Sequence, residues 1–320
     1  MAASGFRYSA SRGADRFKME EAGSREPRAG SAILPGMRGR LRITIAGAGN
    51  LGSVLATCLH RAGYAIDEIV FHNSRAARRK AGVLARSVDA RAVDVAGANL
   101  EAEVFWFCVP DDAIAEVAQS LAEKTNWKGR IALHSSGALS SEELTALKRR
   151  GAHVASVHPM MTFVAGSKPS LAGVPWAIEG DAVAVRVSRR MVKDLGGQAY
   201  AIRKQEKVAY HAWGTFASPL LTALLATTEQ VAAAAGVNRK EAKRRMLPIL
   251  QQTLANYAAL NAAGAFSGPI VRGDAETIRR HLRSLRKVPG AGEVYVALAR
   301  AAVRYLPGKR KGQVQRLLQG

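Results

Sequence analysis

Four polar side chains, Lys207, His211, Thr215 and Ser218, recur at spacings of four, four and three in an otherwise apolar stretch. On a helix that spacing puts them on one face. Such a stripe suits acid–base work: His211 as a general acid, Lys207 tuning it or holding an anionic substrate, Ser218 as a substrate contact. The competing reading is a core histidine bonded to a backbone carbonyl. A second segment, His134-Ser135-Ser136-Gly137, offers hydroxyls and backbone N–H groups that suit a carbonyl or carboxylate. Ser136 is the candidate for a catalytic part and Ser135 for a binding part; turn and cap chemistry is the alternative. His158-Pro159 stands in a similar position, and His158 is a candidate substrate contact. Finally, Ser267-Gly268-Pro269-Ile270-Val271-Arg272-Gly273-Asp274 reads as a loop between helices, with Asp274 as a cap. Arg272 there either binds a substrate carboxylate or pairs with Asp274.

These groups need a frame, and the clearest part of it is Gly47-Ala48-Gly49-Asn50-Leu51-Gly52. This G-x-G-x-x-G directly follows a short β-branched strand, Arg42–Ala46, and opens an amphipathic helix, so its context is that of a dinucleotide-binding turn. Gly47 permits the tight turn, Gly49 admits a pyrophosphate to the backbone, and Gly52 lets helix and strand pack closely. The N–H groups of Asn50 and Leu51, at the helix N-terminus, then face the phosphates. The second strand ends in Phe71-His72-Asn73-Ser74-Arg75, with Arg78, Arg79 and Lys80 beyond it. No acid stands there to take a ribose 2′-hydroxyl. A hydroxyl and a guanidinium suit a 2′-phosphate instead, so Ser74 and Arg75 point to NADP(H) over NAD. A solvated helix face is the alternative for these cations. Val109-Pro110, after the buried strand Val-Phe-Trp-Phe-Cys-Val, belongs beside the nicotinamide ribose.

Strand and helix patterns alternate from Leu41 to about residue 203. Strands read at Ile69–His72, Val104–Val109, Ile131–His134, Val154–Val157, Trp176–Glu179 and Ala199–Ile202. That alternation implies a mostly parallel, doubly wound α/β sheet. Beyond Lys204 the strands stop, and helical runs fit 204–235, 239–262, 274–286 and 291–306. The expected organisation is a tail over residues 1–36, a dinucleotide-binding domain over 37–203, and an all-α substrate and dimerisation domain over 204–320.

The net charge is +22. It is spread along the chain, with eight Lys/Arg against four acids in residues 1–40 and twelve against three in 272–320. There is no interleaved aromatic platform, so nucleic acid is not the expected partner, and a basic cleft suits a polyanionic cofactor. Cys58 and Cys108 lie in apolar stretches without metal-like spacing, as in a reducing, cytoplasmic protein. Phe216–Val237 is too interrupted by polar residues for a membrane span.

Taken together, GAGNLG, Ser74-Arg75, VPDDAI, HSSGALS, VHPM, YHAWGTFAS and above all SGPIVRGDAETIRRHL resemble Rossmann-like proteins whose C-terminal half is a helical domain of unknown function. The resemblance runs from about residue 41 to 305. More distantly the layout is similar to pyrroline-5-carboxylate reductase, ketopantoate reductase and the 3-hydroxyacid dehydrogenases. It implies an NADP-linked oxidoreductase that forms dimers through the helical domain, and it supplies no substrate; a small, anionic carbonyl, hydroxy or imine compound is the substrate expected from the residues. A protein that binds the nucleotide without turnover is the alternative. One departure stands out. Pro219 replaces the Asn that family members carry after the serine of the His-bearing helix, and a proline there kinks or breaks a helix.

Overall fold

The computed structural model describes residues 41–72 and 74–319. The expected tail at 1–36 and Asn73 lie outside the described residues. Eight strands form a single sheet: β1 (Arg42–Ala46), β2 (Ala65–Phe71), β3 (Arg91–Asp94), β4 (Val104–Phe107), β5 (Ile131–His134), β6 (His153–Pro159), β7 (Pro175–Gly180) and β8 (Gln198–Ala201). Their order is β3-β2-β1-β4-β5-β6-β7-β8. Every neighbouring pair is parallel except β6 with β7. This is the mostly parallel, doubly wound sheet expected of a Rossmann domain. The strand order reverses at β1, leaving a crevice at the carboxyl ends of β1 and β4.

The sheet forms because its middle strands are apolar on both faces. All four residues of β4, Val-Phe-Trp-Phe, are buried. Phe105 meets Trp127 edge-on at 4.7 Å, and Trp106 meets Trp176 at 6.2 Å. Burial of each such aromatic contributes about 2–3 kcal/mol. β3 departs from this pattern: it is a four-residue edge strand, half exposed, with an Arg and an Asp. Too little apolar alternation remains there to announce a strand.

Five helices cover this sheet: α1 (Asn50–Arg61), α2 (Arg75–Ser87), α3 (Asp111–Ala122), the short α4 (Thr145–Arg149) and α5 (Ala182–Asp194). After β8 the chain is helical: α6 (Lys207–Thr215), α7 (Leu221–Ala234), α8 (Arg239–Ala265), α9 (Pro269–Arg272), α10 (Ala275–Leu285), α11 (Ala291–Tyr305) and α12 (Lys311–Leu317). Between α6 and α7 the residues Phe216–Leu220 form a π-turn that contains Pro219. The expected disruption at Pro219 therefore takes the form of a widened turn, which accommodates the missing N–H and lets the helix run on. Ile278, Ala299, Val314 and Leu318 make the core of the last helices. No single helix among the described residues is long and apolar enough to cross a membrane.

The turn between β1 and α1 is the tightest part of the fold. Gly47 has φ +107°, and a Cβ there would lie 2.4 Å from the Cys108 carbonyl oxygen. A Cβ on Gly52 would lie 2.0 Å from the Gly47 oxygen. Gly49 differs: a Cβ there would meet no atom within 4 Å. Gly52→Ala is therefore expected to destabilise the chain by about 3 kcal/mol or more, whereas Gly49→Ala leaves stability within about 0.5 kcal/mol. Urea unfolding of the two variants beside wild type checks this; equal midpoints would refute the packing role of Gly52.

Candidate active site

The glycine turn leaves an open helix end. α1 starts at Asn50 with Gly49 as its N-cap, no capping side chain and no acid in its first turn. Its free N–H groups and positive dipole end suit an anion. The space beside Gly49 is open at the same place. The Asn50 side chain is engaged elsewhere, donating from Nδ2 to the Phe163 carbonyl oxygen at 3.2 Å, which ties the turn to the loop after β6.

At the end of β2, Ser74 caps α2 by accepting from the Ala77 N–H at 3.2 Å. That leaves its own O–H free to donate. Arg75 follows, exposed, at the first turn of α2. Arg78 lies over the Phe71 ring at 5.8 Å. The two carboxylates of β2 sit away from this end: Glu68 is buried and accepts from Arg91 at 2.5 Å, and Asp67 faces Arg42.

The chemistry-bearing cluster lies beyond β5 and β6, against α6. Lys207 is 0% exposed. Its Nζ donates to the Ser136 carbonyl oxygen at 3.0 Å and to Ser156 Oγ at 2.7 Å. Loss of hydration lowers its pKa to about 8, against the pull of Glu179 and Asp111. This corrects the sequence expectation. Lys207 does not line an open stripe beside His211; it points inward and bolts α6 to the ends of β5 and β6.

Ser135 and Ser136 are also committed to the structure rather than presented as free hydroxyls. Ser135 Oγ accepts from Trp106 Nε1 at 2.8 Å. Ser136 Oγ donates to Asp111 Oδ2 at 2.8 Å and accepts from the N–H groups of Ala138 and Leu139 at 3.2 and 2.9 Å. Its donor and both lone pairs are thus used. His134, buried behind them, accepts from the Ser136 N–H at 3.1 Å through Nδ1, so Nε2 carries the proton and donates to the Ser140 carbonyl at 2.9 Å. Burial, with Lys207 nearby, holds it neutral, with a pKa near 4.

The imidazoles that do face one another are those of His158 and His211, edge to face at 6.0 Å. Gly137 lies beneath both: a Cβ there would approach His211 Cδ2 at 2.5 Å and His158 Nε2 at 2.9 Å. His158 Nδ1 is hydrogen-bonded to the Tyr210 hydroxyl at 2.8 Å. Burial, then the charges of Lys207, His211 and His134, push the His158 pKa down to about 3. Burial, and after it the neighbouring Tyr200, raises that of Tyr210.

The structure thus brings Ser136, His158, Lys207 and His211 together, beside the turn after β4 that carries Val109 and Pro110. It does not bring all the predicted residues there. Thr215 Oγ1 donates to the His211 carbonyl, within the helix. Ser218 sits in the π-turn, where its carbonyl accepts from Thr222. Arg272 is exposed at the end of α9; its charge helps keep Asp274 ionised without a direct contact, and Asp274 caps α10 through Thr277. Sequence reasoning gave Tyr210 no part in the site, and it placed Asp111, His134 and Gly137 at the strand ends without a role of their own. Tyr210 was adjacent to His211 and one turn from Lys207, which was the available signal.

Two family models match the chain: a Rossmann-like domain over residues 26–159, and a domain of unknown function, DUF2520, over residues 174–302. The second match begins at β7 and runs into α11, so it takes in the last two strands as well as most of the helices. Among solved structures it is similar to a protein of Bacteroides fragilis provisionally named an NADP oxidoreductase, with 23% identity and a TM-score of 0.70, covering 82% of this chain and 97% of that one. A Thermotoga maritima protein shares 22% identity at a TM-score of 0.63, covering 87% and 98%. An imine reductase of Myxococcus stipitatus, in complex with NADP+, shares 18% at 0.61, covering 87% and 99%. At these identities the likeness is one of fold. No match was found among curated proteins.

The buried neutral histidines make the chain acid-labile in a defined window. An unfolded histidine takes a proton near pH 6.5, whereas His134 and His158 refuse one until about pH 4 and 3. The unfolded state therefore binds more protons below pH 6.5, and stability falls from its plateau as the pH drops through that range, by on the order of 2–3 kcal/mol for each histidine. Urea midpoints between pH 7 and 4 check this. His134→Gln should have a lower plateau but a shallower decline; a decline parallel to wild type would refute the assignment.

Proposed function

We propose that the chain is an NADP(H)-dependent oxidoreductase for a small, anionic carbonyl, hydroxy or imine substrate. One observation carries the reading: an open glycine turn and uncapped helix N-terminus at the sheet's switch point, with two facing imidazoles beyond the neighbouring strands. The residues present suit the cofactor. Gly49 leaves room for a pyrophosphate, and the α1 N–H groups of Asn50 and Leu51, with Gly47 and Gly52 shaping the turn, would hold it. The Ser74 hydroxyl and the exposed Arg75 would hold a 2′-phosphate, with no carboxylate at that strand end to repel it. Val109 and Pro110 would border the nicotinamide ribose. When bound, NADPH supplies a hydride.

The chain's own groups would do the rest. His211, on the outer face of α6, would give a proton to the substrate heteroatom. His158 would contact the same heteroatom from the other side of Gly137. Lys207 and Asp111 would act through the 135–137 loop, fixing the carbonyl and hydroxyl of Ser136, while Ser135 anchors the loop to Trp106. An anionic substrate suits the overall positive charge. The fold relatives include an imine reductase bound to NADP+, which supports this class.

We also propose that two copies of the chain associate through α6–α8. Trp213 and Phe216 are 64% and 72% exposed, and Leu247, Ile249, Leu254, Tyr257 and Leu260 along α8 are exposed as well. Only Ala242 of the 27 residues of α8 is buried. A helix apolar on several faces needs a cover. A second copy brings the same helices and gives an isologous contact. In that arrangement Arg272 and Ser218 can serve the partner's site rather than their own.

Two experiments test these readings. Nucleotide titration by fluorescence should show NADPH bound about tenfold or more tighter than NADH, with the preference lost in Arg75→Ala; NADH preference would refute it. Screening 2-oxo acids and cyclic imines for NADPH oxidation should reveal turnover that His211→Ala lowers about a hundredfold, and equal rates would remove His211 as the proton donor. For association, light scattering should give a dimer that Ile249→Glu with Leu254→Glu converts to a monomer; a wild-type monomer at micromolar concentration would refute the dimer.

A further inference from the structure

Gly137 poses a question that its backbone does not answer. Its φ is not in the left-handed region, so no turn geometry demands a glycine. What a side chain would do there is meet His158 Nε2 at 2.9 Å and His211 Cδ2 at 2.5 Å. The missing side chain keeps the space next to His158 Nε2 clear. Nδ1 of the same ring is already engaged by Tyr210 at 2.8 Å, and Nε2 has no protein partner among the described residues.

The direction of the Tyr210 bond follows from relative basicity. A neutral imidazole nitrogen takes up a proton near pH 6.5, whereas a neutral phenol oxygen takes none up in that range and its O–H is a ready donor. The Tyr210 O–H therefore donates to Nδ1 of a neutral His158. Donation into Nδ1 polarises the ring and strengthens the remaining donor at its far end. That donor is Nε2–H, which faces the space over Gly137.

We propose that His158 is held as its Nε2–H tautomer by Tyr210, and that this N–H donates the hydrogen bond that polarises the substrate's carbonyl oxygen or imine nitrogen. The assignment rests on the oxidoreductase reading for its use, though not for its tautomer. His158 is then a catalytic residue and Tyr210 a positioning residue. The two imidazoles have separate tasks: His158 stays neutral and polarises, while His211, outside that hydrogen bond, exchanges the proton. The substrate atom that sits over Gly137 must carry a lone pair, which excludes an alkene or an ammonium ion as the hydride acceptor.

The test reads the ring directly. In protein with 15N-labelled histidine, long-range proton–nitrogen correlation assigns each ring nitrogen, and His158 is identified as the signal missing in His158→Phe. The expected result is a bare Nδ1 and a protonated Nε2, unchanged from pH 8 to 5. Tyr210→Phe should shift the population toward the Nδ1–H form. A proton on Nδ1 in wild type, or an unaltered tautomer in Tyr210→Phe, overturns the inference. On the keto acid or imine turned over by wild type, His158→Phe should lower kcat about a hundredfold, and Tyr210→Phe about tenfold with KM within about twofold. Full activity in His158→Phe overturns the donor role. The two readings fail separately. If the chain binds no NADPH, the oxidoreductase reading and the donor's use fall while the tautomer is still read; if NADPH binds and Nδ1 holds the proton, only this inference falls.

Discussion

The Lys207 ammonium is the interaction on which the rest of the site depends. It is removed from water and has no carboxylate in hydrogen-bond contact; its two bonds go to a carbonyl and a hydroxyl. Burying an ammonium without a partner is costly, and two charge-assisted bonds offset part of that cost. The gain is geometric. The two acceptors belong to different strand ends, Ser136 after β5 and Ser156 within β6, while the donor belongs to the first helix beyond the sheet. One side chain therefore sets the distance between the sheet and α6. Tyr210 and His211 lie three and four residues further along that helix, so their positions over Gly137 follow from it.

A second constraint is the commitment of hydroxyls. Trp106 ties Ser135 down, and Asp111 with two backbone N–H groups saturates Ser136. A loop built this way has little freedom left to rearrange around a ligand. Unsaturated groups at the crevice include the N-terminal N–H groups of α1, the Ser74 hydroxyl, the exposed Arg75 guanidinium and the two imidazoles. These are donors or proton carriers, beside which the exposed Asp111 and Asp112 open α3. The distribution of unused hydrogen-bonding capacity, more than the identity of any one motif, is what makes the crevice suited to a polyanion and a lone-pair-bearing substrate.

The frame was legible in the sequence because local rules decide it. A continuous apolar run makes β4, and three glycines at fixed offsets make the turn, since each meets a steric demand from its near neighbours. β3 was not legible, because an edge strand is stabilised by one partner and needs little apolar pattern of its own. The site was legible by address and less so by role. His158, His211, Ser136 and Lys207 do come together, yet periodicity reports only which residues share a helical face. It does not report that Lys207, at the start of that face, turns into the sheet while His211 turns out. Ser135 and Ser136 present the same difficulty: two serines after a strand look like free donors until the tertiary fold places Trp106 and Asp111 against them.

Gly137 shows where the two kinds of legibility meet. In the sequence it is part of a Ser-Ser-Gly turn, and a glycine after two serines attracts the ordinary explanation of a tight bend. The backbone there needs no glycine, so the explanation shifts from conformation to volume. A methyl group would fill the space beside two imidazoles, one of which Tyr210 holds through Nδ1. His158 is buried and anchored there, while His211 stands opposite it on the exposed side of α6. The gap beside the anchored ring is a place for something other than protein.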